Sequence, residues 1–267
     1  MMANVLAESK KPYLPHLAQG LDRVLPPAII LIVFVFAWEF SSDWFGIPKY
    51  LFPAPSDFIG KFITERSTLA YHFAATGYVV IVGFLVATLI AIPLGLAIAS
   101  YSSLRRSLFP LIVFFEIIPK TITAPLLIVW FGFGFTPRIG LTALMTFFPI
   151  LVNSIAGFSS VNPRLHLITK SMGANPWQTF RFIRFPGAMP YIFSGLKIGM
   201  VYAVTACITV EFVGANEGLE VLILTASSYM DIGLMFAGVI ATAVLAMLLT
   251  GMLLGLERVM MPWRRDQ

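Results

Sequence analysis

The chain has 267 residues, of which 58% are hydrophobic and 12% charged, and its mean hydropathy is +0.86. A soluble domain carries roughly 25% charged residues, so half that charge excludes an ordinary soluble fold and points to an integral membrane protein. The net charge of +5 then reports orientation, not nucleic-acid binding, and the single cysteine, Cys207, excludes an intrachain disulfide or a cysteine-based metal site.

Residues 1–25 read as a polar cytoplasmic tail. The first apolar run follows, about Pro26–Trp44, and ends in Ser41-Ser42-Asp43-Trp44, which suits a retained span and not a cleaved signal. Trp38 and Trp44 suit the membrane interface, and Glu39 reads as a snorkelling acid. Three prolines (Pro48, Pro53, Pro55) precede a short amphipathic helix, capped by Ser56 and carrying Phe58, Phe62 and Ile63 on one side; it is expected to lie in the interface. A second span covers about Leu69–Ser100, with a bend expected at Pro93. Tyr101–Ser107, with Arg105 and Arg106, reads as a tight polar turn. The third span, about Leu108–Phe131, is irregular because Pro110, Pro119 and Pro125 each remove a backbone donor. Gly132-Phe133-Gly134 is the outer turn, and a fourth span covers about Arg138–Ser159.

After a polar loop over 160–186, a fifth span is expected over about Ala188–Val213. Its Gly195, Gly199 and Ala203 are four apart, a spacing that permits close helix packing. Residues 214–232 are acidic, the sixth span covers about Gly233–Leu256, and 259–267 form a second cytoplasmic tail. The fold expected is all-α and integral to the membrane: one transmembrane domain over 26–258 with six spans and a short interfacial helix.

Charge placement orients this topology. With both termini inside, the inner segments hold Lys10, Lys11, Arg23, Arg105, Arg106, Arg164, Lys170, Arg181, Arg184, Arg258, Arg264 and Arg265. The outer segments hold only Lys49, Lys61, Arg66 and Arg138. That excess of inner positive charge places both termini and the 160–186 loop in the cytoplasm.

Within that loop, Asn162-Pro163 and Asn175-Pro176 each read as a helix start, because Asn caps well and Pro suits the first helical position. Gly173 supplies the left-handed residue past the first helix, and Pro186 is expected to end the second. Leu165, Ile168 and Met172 share one face of the first helix; Trp177, Phe180 and Arg184 share one face of the second. The loop is either a simple interfacial connection or a docking knob for a cytoplasmic partner.

The spacing Gly173, nine residues, Ile183-Arg184-Phe185-Pro186 resembles the coupling loop of ABC-importer permeases, whose pattern is Glu-Ala-Ala, three residues, Gly, nine residues, Ile, any residue, Leu-Pro. The chain departs from it where Leu167-Ile168-Thr169 stands for Glu-Ala-Ala and Phe185 for Leu. From about Pro53 to Arg258 the chain is similar to permeases of the nitrate, sulfonate, taurine and thiamine-precursor importers. Ile118–Gly134 and Val210–Ile223 look most like the branch serving hydroxymethylpyrimidine, riboflavin and related solutes.

The resemblance implies the type I importer fold, a homodimer in the bacterial inner membrane, two ATP-binding subunits below and an extracytoplasmic solute-binding protein outside. It also implies that this chain binds no cofactor, with ATP and Mg held by the separate ATPase. Gly173, Ala174, Asn175, Pro176, Trp177, Phe180, Arg181 and Arg184 are the expected ATPase-coupling residues.

The residues read alone offer no enzyme. His16, His72 and His166 are scattered, and neither a zinc-binding HExxH nor a phosphate-cradling GxxxxGK[ST] occurs, so catalytic and metal-ligating residues are expected to be none. Charged residues within spans are functional candidates by default. Glu116 and Lys120 form either an intrahelical ion pair or, through Lys120 beside Pro119, part of a translocation path. Glu211 either faces a polar vestibule or pairs with a neighbouring helix. Tyr202, Thr205 and Thr209 share a face and offer hydroxyls either to a solute or to backbone carbonyls. A membrane scaffold and a stand-alone channel or ion-driven carrier are the alternatives to an importer subunit.

Overall fold

A computed structural model describes residues 16–46 and 52–264. Among them every regular element is a helix, as a membrane interior demands of backbone polar groups. The chain falls into two compact units, Met1–Gly60 and Lys61–Gln267.

In the first unit, α1 (His16–Phe45) starts well before the expected span. The segment from His16 to Leu25 is rich in Leu, Ala, Gln and Arg, all good helix formers, so the helix extends into what reads as a tail. The rest of that tail lies outside the described residues. Trp38 does not simply mark an interface: its indole Nε1–H donates to the Pro53 carbonyl at 3.1 Å, and its ring packs on Phe52 and Phe58. The Glu39 carboxylate accepts the Ser56 N–H at 3.0 Å. Helix α2 (Pro55–Thr64) begins with Pro55 at its first position, so Ser56 is not its cap; Asp57 instead reaches back to accept the Ala54 N–H at 3.1 Å.

The second unit is built on α6 (Phe135–Ser159), which packs against α3 (Arg66–Ser100) on one side and α9 (Phe185–Gly214) on the other. Glycines set the closeness of both contacts. A Cβ on Gly95 would lie 2.6 Å from Ser154 Cβ, and one on Gly195 would lie 2.7 Å from Asn153 Cβ and 3.2 Å from the Pro149 carbonyl oxygen. Without a hydrophobic drive between helices in lipid, such backbone approach and its dispersion contacts hold the bundle. Val79, Val80, Leu141, Ile150, Leu151, Ala203 and Val210 fill the seam with no exposed surface.

Three further expectations need correction. The polar turn over Tyr101–Ser107 shrinks to Tyr101 alone, because Ser102 to Ser107 contain no breaker and form the start of α4 (Ser102–Ile117). The third span is two helices. The extended residue Ile118, held out of the helical region by Pro119, separates α4 from one 3₁₀ turn (Lys120–Ile122) and α5 (Thr123–Phe131). Finally, Pro186 does not end a helix. The chain runs through α8 (Pro176–Thr179) and a π-helical stretch (Phe180–Arg184) into α9 without a break. The Phe185 N–H bonds the Phe180 carbonyl, and this wider turn absorbs a proline whose ring would clash with the carbonyl four residues earlier in a regular helix.

Among the described residues, four helical stretches are long and apolar enough to cross a membrane: 66–100, 135–159, 176–214 and 232–260. The other two expected spans fall on α1 and on the broken α4–α5 pair. Gly132 and Gly134 make the turn into α6 with φ of 75° and 130°, values that favour glycine. The acidic stretch 214–232 contains a further helix, α10 (Leu219–Ser228). Asp231 caps α11 (Ile232–Met260) by accepting the Leu234 N–H at 3.1 Å, and it pairs with Lys61 at 2.5 Å. Burial opposes its ionisation, but those two donors outweigh it and hold the carboxyl below the ordinary aspartate range.

Replacing Gly195 with Val is expected to destabilise the purified chain in detergent by about 1–3 kcal/mol through overpacking of the α6–α9 seam. A lowered thermal unfolding midpoint checks this. Gly251→Ala, where nothing lies within 4 Å of the added carbon, serves as the neutral control.

Candidate functional site

The loop between α6 and α9 is an ordered device. Asn162 Oδ1 accepts the Arg164 N–H at 2.9 Å and starts α7 (Pro163–Ser171). At its other end the Ala174 N–H bonds the Thr169 carbonyl at 3.0 Å around Gly173, whose φ is 77°. This six-residue closure with a left-handed glycine satisfies the last carbonyls of α7 and reverses the chain. Asn175 then opens α8 with a full capping box: its side chain accepts the Gln178 N–H at 2.8 Å, and the Gln178 side chain accepts the Asn175 N–H at 2.8 Å. Pro176 occupies the first helical turn.

The aromatic residues divide by direction. Phe180 stacks on Phe158 of α6 and on Trp177, with ring centroids 6.4 and 5.6 Å away, and touches Phe185. It is turned into the bundle and supports the outward ring of Trp177, which is 63% exposed. The pattern of a regular helix groups Trp177 with Phe180 and Arg184; the π-helical turn changes that register and presents Phe182, 70% exposed, instead. Nothing in a 3.6-residue period marks Phe182. Met172, 80% exposed, Phe182, Gly173 and Gln178 line a cavity of about 380 Å³. Arg181 is exposed, whereas Arg184 donates to Ser100 Oγ at 3.2 Å and ties the segment to the end of α3.

The residues proposed for a path lie in two places. Glu116 and Lys120 flank the α4–α5 break, but the Lys120 ammonium bonds the Glu116 backbone carbonyl at 2.9 Å and sits 4.9 Å over the Phe148 ring. It caps the end of α4 in place of forming the intrahelical ion pair. Glu116, Lys120, Pro119, Met145 and Tyr202 line a cavity of about 260 Å³. Thr205 and Thr209 bond the carbonyls of Val201 and Thr205, at 3.0 and 2.8 Å.

Glu211 is elsewhere and is buried. Its carboxylate pairs with Arg138 Nη2 of α6 at 2.6 Å and accepts Thr76 Oγ1 of α3 at 2.9 Å and the Glu220 N–H of α10 at 3.1 Å. Arg138 reads from sequence as an outer-loop charge, yet it is 1% exposed. It is the fourth residue of α6, and the apolar run that follows it was the only sequence signal. Thr76 gave none; it also accepts the Leu219 N–H at 2.8 Å. A buried charge is tolerated here because pairing and hydrogen bonds replace its water.

A family model described as the binding-protein-dependent transport system inner membrane component matches residues 91–262. The chain belongs to this family. The formylaminopyrimidine transport permease protein ThiX of Halalkalibacterium halodurans is 30% identical over 246 residues, covering 92% of this chain and 98% of the relative. The riboflavin transport system permease protein RibX of Chloroflexus aurantiacus is 33% identical over 239 residues, covering 89% of each chain. The taurine transport system permease protein TauC of Escherichia coli is 30% identical over 246 residues, covering 90% and 88%. A chain of the inward-facing MetNI methionine ABC transporter superposes with a TM-score of 0.62 at 20% identity, covering 73% of this chain and 97% of that one. At that identity the likeness establishes the fold, that of a type I ABC importer permease. The chain is therefore an inner-membrane ABC transport permease, and the capped turn at 173–178 lies within the part of the chain that the family model matches.

Asn175→Ala removes the capping box, and the first turn of α8 is expected to lose about 1 kcal/mol of local stability. Backbone amide exchange at Trp177–Thr179 is then several-fold faster, while exchange in α6 is unchanged.

Proposed function

We propose that this permease couples to a separate ATPase through the capped turn Gly173–Gln178 and the exposed side chains of Met172, Trp177 and Phe182. The observation that carries this reading is helical continuity. The turn opens a helical stretch that runs from Pro176 to Gly214, a span on the order of 55 Å at 1.5 Å per residue. A push on its inner end moves the whole stretch, because a helix transmits force along its hydrogen-bonded axis. Trp177 and Phe182 offer apolar anchors for a helix-in-groove contact, Arg181 a surface cation, and Phe180 and Arg184 brace the segment from within.

The functional assembly in this reading is two copies of the chain with two ATP-binding subunits, which hold ATP and Mg, and a solute-binding protein outside. The charge bias supports cytoplasmic termini and six spans, the broken α4–α5 pair counting as one. The solute path passes the α4–α5 break, where Lys120, Glu116 and Tyr202 face a cavity and the hydroxyls of Thr205 and Thr209 lie on the same helix as Tyr202. A planar heteroaromatic solute is the favoured cargo. The named solutes of ThiX and RibX, and the aromatic and cationic lining of that cavity, support this choice.

Liposomes containing the permease, its candidate ATPase and its candidate binding protein test the assembly. Loaded binding protein is expected to stimulate ATP hydrolysis, and Trp177→Ala with Phe182→Ala to reduce that stimulation about 10-fold or more, as loss of interface anchors does. A stable complex that no loaded binding protein stimulates would support a scaffold instead. For the path, Lys120→Met is expected to cut solute uptake by about 10-fold while basal ATP hydrolysis persists. Wild-type uptake in that variant sinks the proposed role of Lys120.

A further inference from the structure

The same helix that carries the coupling turn at its inner end carries Glu211 near its outer end. Glu211 is the centre of a buried polar cluster that joins four helices. It binds Arg138 of α6, Thr76 of α3 and the Glu220 N–H of α10, and the Cys207 thiol one turn back donates to it at 3.3 Å. Thr76 in turn accepts the Leu219 N–H, and His72 Nδ1 accepts the Gly218 N–H at 3.0 Å. Three successive N–H groups of the 214–220 turn, those of Gly218, Leu219 and Glu220, are thus held by side chains of the bundle. Gly218 has a φ of 128° and sits so close that a Cβ would overlap the Glu211 carboxylate.

We propose that Arg138 and Glu211 are positioning residues for transport: a buried latch through which α9 holds the outer 214–220 turn and releases it when its coupling end is displaced. Three features favour a releasable latch over a fixed strut. Arg138 has a second carboxylate within reach, Glu217 at 3.8 Å, itself held by the Tyr71 hydroxyl at 2.5 Å. The Arg138 Nε–H is buried without a hydrogen-bond acceptor, so its donors are not fully used where it now sits. The Glu211 carboxylate of α9 takes the Arg138 guanidinium, the Thr76 hydroxyl and the Glu220 N–H at once, so a small shift of α9 strains those three contacts together, while α3 holds the Gly218 and Leu219 N–H groups. When α9 withdraws Glu211, Arg138 keeps a counter-charge in Glu217, which belongs to the turn itself.

The inference rests on the importer reading, and the test separates the two. The paired replacement Arg138→Met with Glu211→Leu removes both charges and keeps the volume, a change that buried ion pairs tolerate where single removal does not. In liposomes with the candidate ATPase and binding protein, this variant is expected to assemble, to hydrolyse ATP basally as wild type does, and to lose about 10-fold or more of its solute uptake. Cys207, the only cysteine and buried in the cluster, reports the latch directly. Its labelling by a water-soluble maleimide is expected to be slow in the resting wild type. Labelling should rise about 10-fold in the paired variant, and by a similar factor in wild type when ATP and loaded binding protein drive turnover. Wild-type uptake by the paired variant, or Cys207 labelling that stays at its resting rate during wild-type turnover, overturns the latch. If wild-type liposomes show no stimulated uptake at all, the importer reading fails. The latch is then judged by the resting variant alone, where unchanged Cys207 labelling rejects it and accelerated labelling supports it.

Discussion

A charge inside a membrane bundle needs a partner, and Glu211 with Arg138 is where this chain meets that constraint. The pair is nearly fully buried, and removing either member would leave an ion without water or counter-charge. Meeting the constraint fixes more than two side chains. It sets the height of α6 against α9, brings Thr76 of α3 into the same cluster, and draws the start of α10 onto the carboxylate through the Glu220 N–H. Glycine packing brings the same helices into contact farther along the bundle, where Gly95 and Gly195 let α3 and α9 close on α6. Polar matching at one end and small-residue contact along the seam together define a rigid three-helix core.

One end of that core is continuous with the loop over 160–186. A proline in the middle of a helix normally breaks or kinks it, yet the stretch from Pro176 to Gly214 passes through Pro186 and Pro190. The π-helical turn at Phe180–Arg184 makes the difference by shifting the hydrogen-bond partners ahead of Pro186. The same turn rotates Phe180 inward onto Phe158 and Phe182 outward. One local irregularity therefore keeps the helix intact as a mechanical element and chooses which side chains it presents.

Regularity fails instead at α4–α5. There Ile118 and Pro119 leave the helical region, and the carbonyls at the end of α4 lose their partners. The Lys120 ammonium answers one of them, at Glu116. A cation used in this way stays beside an open cavity with Tyr202 and Phe148 nearby, so the break both costs backbone bonds and creates the polar spot within an apolar pair of helices. Function in an inner-membrane ABC transport permease is drawn from such places, since lipid tolerates exposed backbone only where protein or water covers it.

The sequence by itself determined the membrane class, the approximate position of most apolar helices and the family. It also determined the chemistry of the loop, because Asn-Pro starts and the Gly173 turn act within a few residues of themselves. Local rules read such features directly. Only the tertiary structure decided that Pro186 lies inside a helix, that Arg138 is buried, that Phe182 and not Phe180 faces outward, and that Lys120 bonds a carbonyl. The first three depend on a partner distant in sequence or on a change of helical period, and the last on where α4 breaks before Pro119. Arg138 and Glu211 are separated by 73 residues, and no spacing in the chain announces that two helices will bring them to 2.6 Å. A charge is placed by the energy of the site that receives it, and that site exists only once the helices have packed.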